Sequence, residues 1–299
     1  MPTRLHHALD IALHSDTGRV REHNEDAVFA NPDLGLVLLA DGMGGYNAGE
    51  VASSLAIMHL SSRIGFSLAG RPACATHPPS GQPYAHDCLR DSIQSANMAI
   101  LQAAARHPEC AGMGTTLAAA LFFDNRVMVA HIGDSRCYRL RGEDFSLLTH
   151  DHSLLQEQLD EGKITAAEAR LSPNRHVLTR ALGAEADART EIAEHDVRLG
   201  DLFLLCSDGL TDMLPERQIK RVLQNNEADD LNTAACHLID MANERGGRDN
   251  ISLILVRIAA DFRGTPERPT SAGSSDVAAG DAGAAVATGW LSKLTTRFS

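Results

Sequence analysis

The run Leu36-Val37-Leu38-Leu39-Ala40-Asp41-Gly42-Met43-Gly44-Gly45 limits what this chain can fold into more than any other stretch. Unbroken apolar residues over this length suit a strand buried on both faces, and the run stops at one carboxylate and a cluster of glycines. A carboxylate at the end of such a strand rests on a rigid backbone, and the glycines let another group approach the main chain closely. Taken alone, Asp41-Gly42 reads more readily as a tight strand-to-helix turn with a solvated aspartate. The same grammar recurs at Leu202-Phe203-Leu204-Leu205-Cys206-Ser207-Asp208-Gly209, and further acidic residues stand at Glu25-Asp26, Asp134 and Asp249. Several carboxylates at strand ends are the donor set that a hard divalent cation needs.

With 43% hydrophobic and 22% charged residues in 299, the chain has enough apolar material for a sizeable core. A formal net charge of -12 argues against general binding to nucleic acid or to an anionic membrane, which would repel it. Part of that excess suits a metal site. The six cysteines form no C-x-x-C pair, and Cys206 lies inside an apolar strand, so a reduced, cytoplasmic protein is expected. The 14 histidines show no spacing of a zinc site. No signal peptide or stable membrane insertion is expected from the apolar runs.

Along the chain, strands are expected over 10–13, after Glu25-Asp26, up to Asp41, over 115–123 and 126–132 around an Asp124-Asn125 hairpin turn, over 137–140, up to Asp208, and over 251–256. Helical spacing runs from Ala48 to about Arg63, with Asn47 and Glu50 as an N-cap pair, and from Leu89 to His107-Pro108. Further helices are predicted within 154–170, over 216–223 and over 231–242. Residues 172–194 are polar and read as irregular, part of a mobile flap over about 152–194. The fold class is α+β, with a domain over 5–260 and a low-complexity, disordered tail over 261–299. In that tail, Trp290, Leu291, Leu294 and Phe298 with Lys293 and Arg297 could form a short amphipathic helix, or a frayed terminus.

The motifs Arg21-x-x-x-Glu25-Asp26, Asp41-Gly42-Met43-Gly44-Gly45, Gly114-Thr115-Thr116, Gly133-Asp134-Ser135-Arg136, Thr149-x-Asp151-His152, Thr179-Arg180-Ala181-Leu182-Gly183, Ser207-Asp208-Gly209 and Arg248-Asp249-Asn250 follow one another in order. Together they resemble the metal-dependent protein phosphatases of the 2C type, the PPM family, in its bacterial branch. The resemblance implies a central sandwich of two antiparallel β-sheets flanked by antiparallel helix pairs, with a metal centre at one end. It implies Mn²⁺ or Mg²⁺ as cofactor, two in the core site and a third, weaker one. Asp41 would bridge the two core cations and the Gly42 carbonyl would ligate one of them. Asp208 and Asp249 would hold the first, and Glu25 and Asp26 the second, directly or through water. Asp134 with Asp208 would hold the third.

Arg21 would clamp phosphate oxygens, the alternative being a surface salt bridge. Asn250 reads as a turn residue or one that supports the ligands, Ser135 and Arg136 as loop supports, and His152 as packing. Relatives with histidine after Asp-Gly have a candidate general acid there, whereas this chain has Met43, so the general acid stays open. The implied activity is hydrolysis of phosphoserine and phosphothreonine on proteins by a metal-activated water, without a phosphoenzyme and opposing a bacterial serine/threonine kinase. A monomer is expected, with phosphorylated proteins as partners. A pseudophosphatase that binds such partners without turnover is the rival, and the retained Asp41, Asp208 and Asp249 speak against it.

Overall fold

The computed structural model describes residues 5–45, 48–76, 81–169, 172, 174, 176–225 and 230–263. Contacts divide the chain at Gly264, and Thr265–Ser299 lies wholly outside the described residues. The expected tail helix around Trp290 therefore lies outside them too, as does Asn47.

The chain opens with strands Leu9–Asp16 (β1), Asp26–Asn31 (β2) and Leu36–Met43 (β3), then long helices Ala48–Gly70 (α1) and Tyr84–Arg106 (α2). Strands Gly114–Thr115 (β4), Leu117–Phe123 (β5), Arg126–Ile132 (β6), Arg136–Arg141 (β7) and Asp144–Leu147 (β8) follow. Two short helices, Leu154–Asp160 (α3) and Ala166–Ala169 (α4), lead to strand Glu191–Asp196 (β9). The remainder is Leu202–Cys206 (β10), a helical turn Asp208–Thr211 (α5), helices Glu216–Asn225 (α6) and Leu231–Glu244 (α7), and Ile251–Ile258 (β11). One sheet has the order β1-β11-β10-β7-β8, the other β2-β3-β5-β6-β9 with β4 beside β3. The paired strands within each sheet run antiparallel.

Side chains alternate across a strand, and here both faces are covered. In β3, Leu36, Leu38 and Ala40 point to α1 and α2, while Val37 and Leu39 point to the other sheet. In β10, Leu202, Leu204 and Cys206 meet α5, α6 and α7, and Phe203 and Leu205 enter the sandwich. Phe122 and Phe203 meet edge to face across the two sheets, ring centroids 5.2 Å apart. Burial on both faces is why these segments read as continuous apolar runs. The fold is α+β: two sheets with a helix pair outside each.

Several boundaries differ from the sequence reading. α1 continues to Gly70 rather than ending near Arg63, burying Ile64 and Leu68. The 115–123 segment splits at Thr116, whose N–H donates to the Asp41 carbonyl at 2.9 Å. Residues 191–194, expected to be irregular and part of the flap, belong instead to the edge strand β9, which runs to Asp196 against β6. Phe262 is 3% exposed in the sandwich core, and its N–H donates to Asn125 Oδ1 at 2.7 Å, so the folded unit runs past residue 260. Asp124 and Asn125, at φ 48° and 53°, make the expected hairpin turn.

Candidate metal centre

The carboxylates meet at one end of the sandwich because antiparallel pairing brings strand starts beside strand ends. Asp26, at the start of β2, pairs with Asp41 near the end of β3. Asp208 follows the end of β10, Asp249 precedes the start of β11, and Asp134 follows β6. Arg21, Glu25, Asp41, Gly42, Asp134, Asp208 and Asp249 line one cleft of about 440 Å³. Asp26 is not among its lining residues and lies just beneath, linked to Asp41 by strand pairing.

Hydrogen bonds to the main chain hold Asp41 and Glu25 in place. The Asp41 N–H donates to Thr116 Oγ1 at 3.0 Å, and its carbonyl accepts from Thr115 Oγ1 at 2.9 Å. Thr116 Oγ1 in turn lies 2.7 Å from Ser135 Oγ, which ties the Asp41 strand to the Asp134 loop. A side chain at Gly42 would collide with the Gly49 carbonyl, so the glycine is what lets α1 begin against β3. Asn250 has a supporting role: its Oδ1 accepts from the Glu25 N–H at 2.8 Å, and its amide donates to the carbonyls of Thr17 and His23 at 3.0 and 2.9 Å. Arg136 holds Asp151 through Nε and Nη2, the shorter contact 2.6 Å, and supports the loop as expected.

The electrostatics are lopsided. Burial pushes the Asp41 carboxyl well above its ordinary range, and the neighbouring charges of Asp26, Asp208, Asp134 and Asp249 push it further. Burial likewise raises Asp26 to about 7, against hydrogen bonds from Ser252 and Ser207. Asp134 is raised to about 8 by burial first and then by Asp208 and Asp151. Asp26 Oδ2 accepts from Ser207 Oγ at 3.0 Å, whereas its Oδ1 is buried without a hydrogen-bond partner. Arg21 is half-exposed, and its Nη2 donates to Asp249 Oδ2 at 2.8 Å, an ion pair that leaves other guanidinium N–H groups unused. Glu25 is raised by burial, opposed by Arg21 and by the N–H groups of Gly49 and Glu50, so its carboxylate faces the start of α1 as well as the cleft. Clustered all-oxygen donors with an orphaned oxygen among them fit a hard divalent cation.

Three further titratable side chains that the sequence does not single out as site residues line the cleft. Asp212 lies four residues after Asp208 on one helical turn, a spacing that puts both on one face. His176 comes from the flap, with Nδ1 3.5 Å from Asp208 Oδ2 and Nε2 3.9 Å from Asp212 Oδ2, and nothing in its local sequence signals that approach. Arg248 lines the rim beside Asp249. His131, His152 and Glu191 also gather, away from the cleft lining. Their geometry does not suit a cation: the two imidazoles are stacked at 4.8 Å and 14°, so the ring planes do not meet within bonding distance of both rings, and Arg180 Nη1 stands 3.3 Å from both His152 Nε2 and Glu191 Oε1.

The family model for protein phosphatase 2C matches residues 15–251. The chain belongs to the protein phosphatase 2C family. It is 39% identical over 245 residues to the serine/threonine phosphatase stp of Listeria monocytogenes, covering 81% of this chain and 93% of that one. The crystal structure of the Mycobacterium tuberculosis serine/threonine phosphatase PstP/Ppp superposes with a TM-score of 0.73 at 38% identity, over 85% of this chain and 100% of that chain. A structure of the PstP catalytic domain in complex with two manganese ions gives 0.72 at 35% identity, over 85% of this chain and 99% of that chain. This 2C-type chain is a metal-dependent enzyme of bacterial serine/threonine phosphatase type. Among the described residues, no helix is long and apolar enough to cross a membrane.

Proposed function

We propose that this 2C-type phosphatase hydrolyses phosphoserine and phosphothreonine on cytoplasmic proteins, opposing a serine/threonine kinase, and acts as a monomer. The observation that carries this reading is the set of recessed carboxylates, Asp26, Asp41 and Asp134, none of which forms an ion pair with an arginine or lysine among the described residues and each of which is raised first by burial. Asp41, the Gly42 carbonyl, Asp208, Asp249, Glu25 and Asp26 would hold two Mn²⁺ or Mg²⁺ ions, and Asp134 with Asp208 a third. When bound, such ions neutralise the carboxylates and supply a water acidic enough to attack phosphorus near neutral pH.

The chain's own residues do the rest. Arg21 offers its unused N–H groups to the phosphoryl oxygens in a planar fork while Asp249 keeps the guanidinium from swinging into solvent. Asn250 fixes the 17–25 loop, and so the reach of Arg21, by gathering three main-chain groups of that loop. Thr115 and Thr116 hold the Asp41 backbone, so its carboxylate projects into the cleft without reorganising. Met43 cannot donate a proton to the leaving oxygen. The flap, through His176, walls the side of the cleft above Asp208.

Turnover of a phosphothreonine peptide and of p-nitrophenyl phosphate, measured in excess chelator and after adding back Mn²⁺ or Mg²⁺, tests the reading. Both activities should vanish and return. Full activity in chelator, or return with p-nitrophenyl phosphate but never with any phosphopeptide, would contradict it.

A further inference from the structure

We propose that His152 is the positioning residue that sets Asp134, and that Glu191 and Arg180 tie that setting to the base of the flap; this rests on the reading of Asp134 as a cation ligand. Packing alone was expected of His152. Instead it grips Gly133, the residue before Asp134, on both sides. Its N–H donates to the Gly133 carbonyl at 2.9 Å, and its ring Nδ1 accepts from the Gly133 N–H at 3.2 Å. Gly133 has little room to respond, since at φ +96° a Cβ would stand 2.6 Å from Thr116 Cγ2. Thr116 is the residue that holds Asp41, so the grip on Gly133 fixes the spacing of the Asp134 loop from the Asp41 strand.

An acceptor at Nδ1 requires the proton on Nε2 in the neutral ring. Nε2–H then donates to Glu191 Oε1 at 3.0 Å, and Arg180 Nη1 donates to the same oxygen at 3.3 Å. Glu191 therefore selects the tautomer that can hold Gly133. The imidazole is 3% exposed and stacked on His131, whose Nε2 is occupied by the main chain of His150, so the ring cannot turn away. Arg180 belongs to the strand of chain that returns from the flap. The Thr179 N–H donates to the His152 carbonyl at 2.9 Å, and Ser153 bridges Leu178. One buried side chain thus joins the Asp134 loop, the edge strand β9 and the flap exit.

Two substitutions separate the arms. His152→Gln puts an amide near the position of Nε2 and can keep the Glu191 bond while losing the acceptor for Gly133; His152→Asn puts an oxygen near Nδ1 and keeps that acceptor. Full-length wild type, both variants and Asp134→Asn are compared in kcat and KM, in Mn²⁺ binding by calorimetry and in amide exchange at Gly133. The proposal predicts that His152→Gln lowers kcat by about 10- to 100-fold with little change in KM, weakens the weakest Mn²⁺ step and speeds Gly133 exchange. His152→Asn should recover most of that loss. Equal behaviour of the two variants, with Asp134→Asn still impaired, would overturn the positioning role and leave the reading of Asp134 standing. Wild-type kcat and Mn²⁺ binding in Asp134→Asn would overturn that reading, and the positioning role with it. If His152→Gln does not fold, Glu191→Ala at its half-exposed site carries the test: faster Gly133 exchange and lower kcat support the proposal, and no change in either contradicts it.

Discussion

Two groups of recessed aspartates in this molecule are treated in opposite ways. Asp201, 1% exposed, receives Arg141 Nε at 2.8 Å and Nη2 at 2.7 Å, and Asp151 receives Arg136 in the same two-pronged way. Asp87, also recessed at the start of α2, is paired with Arg90 at 2.7 Å. Among the described residues, Asp26, Asp41 and Asp134 have no such partner, and each is driven toward its protonated form. On the proposed reading the difference is one of role: the paired set takes its cation from the chain, the unpaired set would take a divalent cation from solution, and Asp249, which also receives Arg21, stands between the two.

That contrast can be broken from either side. Asp41→Asn should lower kcat at least about 1,000-fold while the metal-free protein keeps its Tm, because the amide removes a negative charge that burial and the neighbouring carboxylates disfavour. Loss of stability in parallel with activity would place Asp41 with the structural group. Asp201→Asn should do the reverse: stability falls by about 3 kcal/mol, because Arg141 loses its principal partner, and kcat per folded molecule is kept. Urea titration with activity assays at low denaturant reads both quantities.

A smaller effect concerns pH. Asp26 and Asp134 are raised to about 7 and about 8, so the folded, metal-free protein holds protons that the unfolded chain releases near pH 4. Their contribution to stability is full below about pH 4 and is lost as pH rises toward 8. Chelated protein should therefore lose Tm across that interval more steeply than protein in Mn²⁺, whose ions hold the ionised form. Parallel Tm curves would contradict the assignment of these two carboxylates to the unpaired group.

The sequence carried the sandwich strands and the carboxylates well, for one physical reason. β3, β10 and β11 are buried on both faces, so each appears as an unbroken apolar run, and a charged residue ending such a run stands out. β9 has the opposite character: it is a sheet edge with Glu191, Glu194, His195 and Asp196 among its six residues, and little distinguishes it from a loop. The C-terminal part of α1, Ser61 to Gly70, is built from small and polar residues between a few apolar ones, which blurred its end. His176 reaches Asp208 and Asp212 from more than thirty positions away, and His152 takes its role from a backbone contact; neither leaves a local pattern. Asp212 was within reach of helical spacing, had the turn after Asp208 been recognised as helical.

Calorimetric titration of chelated protein with Mn²⁺ at pH 7, in two buffers of different ionisation enthalpy, tests the unpaired carboxylates most directly. Ligands must be deprotonated to bind, so carboxyls that burial raises, Asp26 to about 7 and Asp134 to about 8, must release protons as the ion enters. The account predicts at least two Mn²⁺ per chain with net proton release, and loss of both the tighter binding and the release in Asp41→Asn. Mn²⁺ binding without proton release, or with release unchanged in Asp41→Asn, would contradict it.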